Sequence, residues 1–285
     1  MYHLWDIHDI KLILKKHGFA FSKALGQNFI IDPEVCPAIA ARAGIGEEDY
    51  VLEIGPGIGV LTAALCARAK KVVAIELDKR LPEILADTLA DFDNFTLVEG
   101  DVLKLDLPAL FAAHFPAGKK VKICANLPYY ITSPVIMTFL ESALPIESLT
   151  VMVQKEAGER LCAPVGSKQA GAVTAAVNYY AEAREEFFVP KESFLPSPKV
   201  DSEVISLILR EKPPVEVCDE ALFFKVVKAA FLQRRKSALN SLSAGLSLPK
   251  AEVGAMLDTL GFEAGVRAEN FTMEDFAKIT AFLQA

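Results

Sequence analysis

The sequence contains no uninterrupted apolar run close to the ~20 residues that a transmembrane helix needs. Its N-terminus also lacks the apolar core of a signal peptide, because charged residues recur at Asp6, Asp9, Lys11, Lys15 and Lys16. Yet 52% of the 285 residues are hydrophobic, which is enough for the cores of one large and one small domain. We therefore expect a cytoplasmic protein without a membrane partner.

The cysteines are few and unpaired in sequence. Five are scattered along the chain, at Cys36, Cys66, Cys124, Cys162 and Cys218, and no two of them form a C-x-x-C pair. This spacing indicates neither a zinc site nor a disulfide framework. We therefore expect no bound metal and a reducing compartment.

An overall excess of basic residues is also missing. The net charge of −7 argues against a nonspecific nucleic-acid binder, which would usually be basic. Phosphate binding nevertheless depends on where the cations sit, and lysines crowd the N-terminal segment. A second cluster fits either a solvated helical face or an RNA-binding surface, and it consists of Lys225, Lys228, Arg234, Arg235 and Lys236.

Apolar, β-rich runs alternate with helical patterns from about residue 50. Strands are predicted at 50–54, 71–75, 95–98, 121–125 and 149–153, with helices at 60–69, 79–89 and 134–144. Two further strands, at 186–189 and 203–209, complete an edge hairpin. Such alternation is typical of an α/β fold with a mainly parallel sheet and helices on both faces.

The pattern changes at Lys212-Pro213-Pro214. Only helices are predicted beyond it, at 220–232, 237–244, 250–257 and 273–283. We therefore expect an α/β domain over residues 1–212 and a small all-α domain over residues 213–285.

Three glycines follow the first strand, at Gly55, Gly57 and Gly59, where the backbone can turn sharply and approach a ligand. A dinucleotide fingerprint would need its third glycine at Val60, so NAD is disfavoured. Glu76 ends the second strand and is suited to both ribose hydroxyls of a nucleoside. Asp101 follows the third strand and is suited to an adenine amino group. The alternative is an ordinary strand–helix turn with solvated strand ends.

The tetrapeptide Asn126-Leu127-Pro128-Tyr129 follows the fourth strand. The Asn126 side-chain oxygen and the Leu127 carbonyl can both accept hydrogen bonds from an exocyclic amine, and Tyr129 can stack on a base. Taken alone, the tetrapeptide also fits a common strand-end turn. Beside the glycine turn, it indicates methyl transfer from S-adenosylmethionine to an amino nitrogen of a nucleobase.

Phe194 opens the stretch Phe-Leu-Pro-Ser-Pro-Lys-Val. The prolines favour a stiff, extended loop, which would present Phe194 to the other face of the base. A packed interstrand loop is the alternative.

The ordered set of motifs resembles the ribosomal RNA adenine N6,N6-dimethyltransferase family over roughly residues 10–240. Its members are Ala24-Leu-Gly-Gln-Asn-Phe29, the glycine turn, Glu76-Leu-Asp78, Glu99-Gly-Asp101, the Asn126 tetrapeptide, Gln154-Lys-Glu156 and the Phe194 stretch.

The resemblance implies a Rossmann-like class I methyltransferase domain that uses S-adenosylmethionine. It also implies dimethylation of two adjacent adenosines in the 3′-terminal hairpin of 16S rRNA, within the 30S subunit or its precursor, and we expect a monomer. In the family, matching positions for the cofactor are Gln27, Asn28, Ile30, Gly55, Glu76, Asp101 and Asn126, to which the glycine turn adds Gly57. Matching positions for the target adenine are Leu127, Tyr129 and Phe194.

The N-terminal segment, residues 1–28, is expected to act as a flap over the cofactor. The chain departs from the family at Ala170 and Ala172, where a tyrosine and an arginine are usual, so RNA contacts there are expected to differ.

Three other functions fit parts of the pattern. A 23S rRNA adenine methyltransferase of the macrolide-resistance type shares both central motifs. A non-catalytic assembly factor would bind the small subunit without chemistry, although the complete set of Glu76, Asp101 and Asn126 argues against it. A small-molecule methyltransferase is disfavoured, because it would rarely combine Asn-Leu-Pro-Tyr with a basic helical appendage.

Overall fold

A computed structural model of the protein describes residues 2–22 and 25–284. Its centre is a seven-stranded sheet with the order β4-β3-β2-β5-β6-β9-β7, and β1 and β8 form a separate two-stranded sheet. The strands are β1 (Phe29–Ile30), β2 (Tyr50–Ile54), β3 (Lys71–Glu76), β4 (Phe95–Glu99), β5 (Val121–Asn126), β6 (Ile146–Gln154), β7 (Ala181–Val189), β8 (Phe194–Leu195) and β9 (Ser202–Leu209).

All seven strands predicted from the sequence are present, and the predicted helices are present with shifted ends. The helices are α1 (Ile7–Lys16), α2 (Val35–Arg42), α3 (Val60–Cys66), α4 (Pro82–Thr88), α5 (Leu107–His114), α6 (Thr132–Leu140), α7 (Lys155–Cys162), α8 (Ala172–Tyr180), α9 (Glu220–Ala230), α10 (Ala238–Leu246), α11 (Lys250–Thr259) and α12 (Met273–Gln284).

The helices predicted above do not include α1, α2, α5, α7 or α8. Two of them carry a readable start signal. The Asp6 side chain accepts hydrogen bonds from the backbone N–H groups of His8 and Asp9 before α1. Asp106 accepts from Ala109 before α5, where a proline stands in the first turn.

Parallel pairing brings four strand ends to one edge of the sheet. β2 pairs in parallel with β3 and with β5, β3 pairs in parallel with β4, and β5 with β6. Ile54 lies beside Ile75 on one neighbour and Ala125 on the other. The residues that follow β2, β3, β4 and β5 therefore converge where open α/β sheets bind ligands.

The central strands are buried on both faces. Val51 and Leu52 of β2 and Val72 and Val73 of β3 are each 0% exposed. A sheet that is covered on both faces favours apolar residues on both of them, and Glu53 is the exception within β2.

The chain divides into two compact units. The first comprises residues 1–158 and 184–209, and the second comprises residues 159–183 and 210–285. The chain enters the C-terminal unit for the second time at Arg210, close to the domain boundary expected near residue 212. The sequence interpretation did not anticipate that residues 159–183, which include α8, group with the C-terminal helices. No described helix is long and apolar enough to cross a membrane.

The C-terminal unit has a core of its own. Phe223, Phe271 and Phe276 are at most 1% exposed, and Tyr179 of α8 packs in the same cluster. The Tyr179 and Phe223 ring centroids are 5.2 Å apart. This contact explains why α8 belongs with the later helices.

Candidate active site at the carboxyl edge of the sheet

One pocket lies at the edge where β2, β3, β4 and β5 end. Every residue that the sequence analysis proposed for the cofactor and for the target base lines this pocket: Gln27, Asn28, Ile30, Gly55, Gly57, Glu76, Asp101, Asn126, Leu127, Tyr129 and Phe194. The structure therefore brings together residues that are as much as 167 positions apart in sequence (194 − 27).

The glycine turn after β2 requires glycine for two different reasons. Gly55, Gly57 and Gly59 all have positive φ, of 71°, 60° and 93°. A Cβ atom on Gly57 would lie 3.2 Å from the Phe29 ring. A Cβ atom on Gly55 would meet no atom of the described residues within 4 Å, so the turn leaves open space beside the pocket.

Glu76 ends β3 and is only 8% exposed. Its Oε1 accepts a hydrogen bond of 2.8 Å from the Asp78 backbone N–H, and its Oε2 accepts one of 3.4 Å from the Gly57 N–H. Burial raises the pKa of Glu76, while these backbone donors act in the opposite direction. The carboxyl group is thus held in place and still has lone pairs for a ligand.

Asp101 follows β4 and also makes local contacts. Its Oδ1 accepts from the Leu103 backbone N–H at 3.1 Å, and its Oδ2 lies 3.2 Å from the Lys104 Nζ. A carboxylate offers about four acceptor positions, so Asp101 keeps acceptor capacity for an amino group.

Asn126 is the last residue of β5, and its carboxamide has a defined direction. The Nδ2 atom donates to the Asn28 backbone oxygen at 3.3 Å. This contact commits the amino end of the carboxamide and leaves Oδ1 as the acceptor for a ligand. The next residue, Leu127, precedes Pro128, which has no N–H to compete for nearby acceptors.

Tyr129 begins a 3₁₀ turn, Tyr129–Ile131, directly after Pro128. Its hydroxyl lies 2.9 Å from the Ser202 Oγ, which anchors the ring to the start of β9. Burial raises the pKa of the Tyr129 hydroxyl, so it stays neutral at physiological pH. The ring is therefore a fixed, uncharged surface on the pocket wall.

The environment of Phe194 differs from the sequence prediction. Instead of lying in a stiff proline-rich loop, Phe194 starts β8 and is paired with Ile30 of β1. It is 3% exposed and packs in the core. A backbone ladder and core packing therefore hold the ring at the pocket, and the proline-rich segment follows it.

The N-terminal segment is anchored to the first unit. Ile10 and Ile13 of α1 are 0% exposed. The Lys16 Nζ and the His17 Nε2 lie 2.8 Å and 3.1 Å from the Asp87 Oδ2 of α4. Residues 25–30 line the pocket, whereas Lys23 and Ala24 lie outside the described residues.

Sequence reasoning missed two groups near the pocket. It assigned no role to Asp78 or Arg80, which form an ion pair with a separation of 2.6 Å directly after Glu76. It also passed over Glu53, which is 1% exposed and whose pKa burial raises to about 8. A charged residue inside the apolar run of β2 was the available signal for Glu53.

The basic residues proposed for RNA belong to the C-terminal unit, and none of them is among the residues that line the pocket. Lys225 and Lys228 are exposed on α9 and border a surface groove with Phe224 and Leu232. The others, Arg234, Arg235 and Lys236, are exposed in the turn between α9 and α10. The Arg234 Nη2 donates to the Lys168 backbone oxygen at 3.3 Å. Ala170, in the same unit, is buried, and Ala172 begins α8.

The fold and the pocket together define a Rossmann-like methyltransferase. The structure is similar to a dimethyladenosine transferase from Plasmodium falciparum, with a TM-score of 0.72 and 27% identity over 90% of this chain and 97% of that one. It is also similar to the 23S rRNA methyltransferase ErmE, with a TM-score of 0.67 and 27% identity over 90% of this chain and 100% of that one.

Sequence comparison gives the family. Residues 18–285 match the family described as ribosomal RNA adenine dimethylase. A protein from Shouchella clausii called ribosomal RNA small subunit methyltransferase A is 46% identical over 94% of this chain and 91% of the relative. A protein of the same name from Bacillus mycoides is 47% identical over 95% of this chain and 94% of the relative. The chain belongs to the ribosomal RNA adenine dimethylase family.

Proposed function

We propose that the protein transfers methyl groups from S-adenosylmethionine to the N6 atoms of two adjacent adenosines in the 3′-terminal hairpin of 16S rRNA. The observation that carries this proposal is the convergence of Asn126, Leu127 and Tyr129 with Glu76 and Asp101 around one pocket. We infer that the RNA belongs to the small subunit because the relatives are named ribosomal RNA small subunit methyltransferase A. The proposal includes a monomeric, cytoplasmic enzyme that needs no metal and acts on the 30S subunit or its precursor.

The residues present fit S-adenosylmethionine. Glu76 offers fixed carboxylate oxygens for two ribose hydroxyls, and Asp101 offers an acceptor for the adenine amino group. The turn at Gly55 leaves space that any larger side chain would fill. When bound, S-adenosylmethionine supplies an electrophilic methyl group.

The target nitrogen needs help because its lone pair is delocalised into the adenine ring. The Asn126 Oδ1 and the Leu127 carbonyl oxygen would each accept a hydrogen bond from one of its N–H groups. Two acceptors draw the nitrogen toward tetrahedral geometry and direct its lone pair toward the methyl group. The proton leaves after the nitrogen has become cationic, so no strong base is required and positioning supplies most of the catalysis.

Aromatic rings would hold the base during this step. Tyr129 is anchored by its 2.9 Å contact with Ser202, and Phe194 is held by β8 and the core. Stacking on such rings is worth about 1–3 kcal/mol per base and offsets part of the few kcal/mol needed to unstack the adenine.

A 23S rRNA methyltransferase remains the second candidate, because ErmE shares the fold over 90% of this chain. The relatives named for the small subunit favour the first candidate, since they are 46–47% identical over at least 94% of this chain. A binding-only assembly factor would not need the acceptors that surround the Asn126 position.

The test uses tritiated S-adenosylmethionine with undermethylated 30S and 50S particles in separate reactions, followed by nucleoside analysis. We expect labelled N6,N6-dimethyladenosine from 30S particles only. Label from 50S particles alone would support the 23S candidate. Tight 30S binding without label, in a folded protein that binds the cofactor, would support the assembly factor.

A further inference from the structure

We propose that Asp78 and Arg80 are positioning residues for methyl transfer, and the proposal rests on the function given above. We call the segment Gln27–Asn28 the pocket strap. Asp78 and Arg80 hold this strap in the position in which the Asn28 backbone oxygen orients the Asn126 carboxamide. Neither residue needs to touch the cofactor or the RNA to play this part.

The first link is a two-pronged ion pair. The Arg80 Nε donates to the Asp78 Oδ1 at 2.8 Å, and the Arg80 Nη2 donates to the Asp78 Oδ2 at 2.6 Å. The Arg80 side chain is 47% exposed, whereas the Asp78 side chain is only 5% exposed. Several hydrogen-bond donors lower the pKa of Asp78 to about 2, and the Arg80 guanidinium has the largest effect. The Asp78 carboxylate therefore stays ionised.

Arg80 also holds the chain that leads to the strap. Its Nη1 donates to the Ala20 backbone oxygen at 3.0 Å, and its guanidinium lies 4.6 Å from the centre of the Phe19 ring. A planar guanidinium can make all these contacts at once because its donors point in fixed directions. A lysine could keep the charge but not the full set of contacts.

The second link joins the ion pair to the strap. The Gln27 Nε2 donates to the Asp78 Oδ2 at 2.8 Å. The Gln27 Oε1 accepts from the Ser22 backbone N–H at 2.9 Å. Both ends of the Gln27 carboxamide are therefore engaged by protein, which favours a structural part for this side chain over direct contact with the cofactor.

The third link reaches the proposed acceptor. The Asn28 backbone oxygen accepts from the Asn126 Nδ2 at 3.3 Å, and the Asn28 side chain is itself tied to the Gly26 oxygen at 3.1 Å. If the strap shifts, the Asn126 carboxamide loses the partner that selects its direction. A reversed carboxamide would present an N–H group to the target amine, which is also a donor, and would remove one of the two acceptors.

Asp78 has a second connection to the site. Its backbone N–H donates to the Glu76 Oε1 at 2.8 Å, so the same residue holds the strap and the carboxyl proposed for the ribose. Changes at Arg80 leave this backbone contact in place. Arg80 is therefore the better residue at which to test the link to Asn126.

The experiment measures single-turnover methyl transfer to undermethylated 30S particles at saturating S-adenosylmethionine. We expect Arg80→Ala to lower the rate roughly 10-fold, less than the ~100-fold expected for removal of the acceptor itself. Arg80→Lys should recover part of the rate. Lys79→Ala, an exposed neighbour that removes the same charge, is the matched control and should behave like the wild type.

The decisive readout is non-additivity. In an Asn126→Ala background, Arg80→Ala should cause little further loss, because no carboxamide remains to be directed. A loss of equal size in both backgrounds would show a merely structural role and overturn the proposal. Weaker 30S binding with an unchanged saturated rate would instead make Arg80 an RNA contact, and that outcome would also overturn it.

A replacement variant and two further outcomes complete the design. If Arg80→Ala does not fold, Asp78→Asn replaces it, since an asparagine has a similar shape and one neutral acceptor oxygen but loses the ion pair. If the wild-type protein labels no 30S particle, the proposed function fails irrespective of Arg80. If Asn126→Ala is as fast as the wild type, the acceptor role of Asn126 fails, and the positioning role fails with it.

Discussion

At the scale of single residues, the direction of the Asn126 carboxamide is the feature on which the proposed chemistry depends most. We expect Asn126→Ala to fold and bind 30S particles but to transfer methyl groups at least ~100-fold more slowly, as when one positioned polar group is lost. Single-turnover rates at saturating cofactor and 30S separate this effect from binding. A rate near that of the wild type would reduce Asn126 to a turn residue.

A second residue-scale prediction concerns Glu76. Replacing Glu76 with alanine should weaken S-adenosylmethionine binding by about 1.5–3 kcal/mol, because two hydroxyls lose a charged acceptor. Burial raises the pKa of Glu76, so cofactor affinity should fall as the pH drops through a range above that of an ordinary glutamate. Calorimetry at several pH values checks both points, and Glu76→Gln should remove this pH dependence. Unchanged affinity in folded Glu76→Ala would refute the assignment.

Glu53 leads to a prediction about stability. Burial raises its pKa from 4.5 to about 8, and its Oε2 finds no hydrogen-bond partner among the described residues. The folded state therefore binds this proton more tightly than the unfolded state does. The stability that the bound proton contributes is complete below pH 4.5 and is lost as the pH rises to about 8.

Glu53→Gln should remove that pH dependence. Urea denaturation measures the free energy of unfolding of both proteins. As the pH rises, the value for the variant should increase relative to that of the wild type, by up to a few kcal/mol near pH 8. Glu99→Gln, at the exposed end of β4, is the control and should leave the pH profile unchanged. Parallel profiles for wild type and Glu53→Gln would contradict the prediction.

At the scale of secondary-structure elements, the close approach of α9 and α10 depends on Gly245. A Cβ atom there would lie 2.5 Å from the Ala229 Cα, so Gly245→Ala must separate two helices. We expect it to destabilise the protein by about 1–3 kcal/mol. At Gly254 of α11 the nearest atom, on Leu239, is 3.5 Å away, so Gly254→Ala should stabilise by up to ~1 kcal/mol. Urea denaturation of both variants tests the contrast, and equal effects would contradict it.

Elements were predictable where their pattern is local and uniform. The strand predicted at 50–54 matches β2 at both ends, because the buried run ends at a glycine turn. The helix α8 escaped prediction, since its nine residues include β-branched and aromatic side chains, which have weak helix propensity. Its Ala175 and Tyr179 pack in the core of the C-terminal unit. Its identity as a helix depends on that tertiary packing more than on propensity.

At the scale of the whole molecule, a net charge of −7 must be reconciled with binding to a polyanion. The exposed cluster Arg234, Arg235 and Lys236 is the proposed solution. Replacing all three with alanine should lower the affinity for 30S particles and flatten its dependence on salt, because fewer counterions are released. Cofactor affinity should not change.

Lys119 and Lys120 provide the control for this experiment. They are exposed and precede β5, at the opposite end of the strand from Asn126. Their double replacement removes two positive charges, one fewer than the triple variant, from a surface with no proposed RNA contact, and it should leave the salt slope unchanged. If the triple variant keeps full affinity and the wild-type slope, its cluster is only a solvated face.

The sequence by itself determined the class of fold and predicted which residues meet at the carboxyl edge of the sheet. Alternating strand and helix patterns imply a parallel sheet, and parallel strands end at one edge. Glu76 at the end of β3, Asp101 after β4 and Asn126 at the end of β5 are therefore expected to meet the glycine turn after β2. The residues proposed at the ends of these four strands line one pocket for this reason.

Only the tertiary structure decided how these groups are held. The contacts of Gln27 with Asp78 and of Asn126 with Asn28 join residues 51 and 98 positions apart. The pairing of Phe194 with Ile30 likewise places that ring in a strand, and the grouping of residues 159–183 with the C-terminal helices follows from a shared core. Local patterns cannot specify such partners, because a hydrogen bond or core contact between distant residues exists only after the chain has folded.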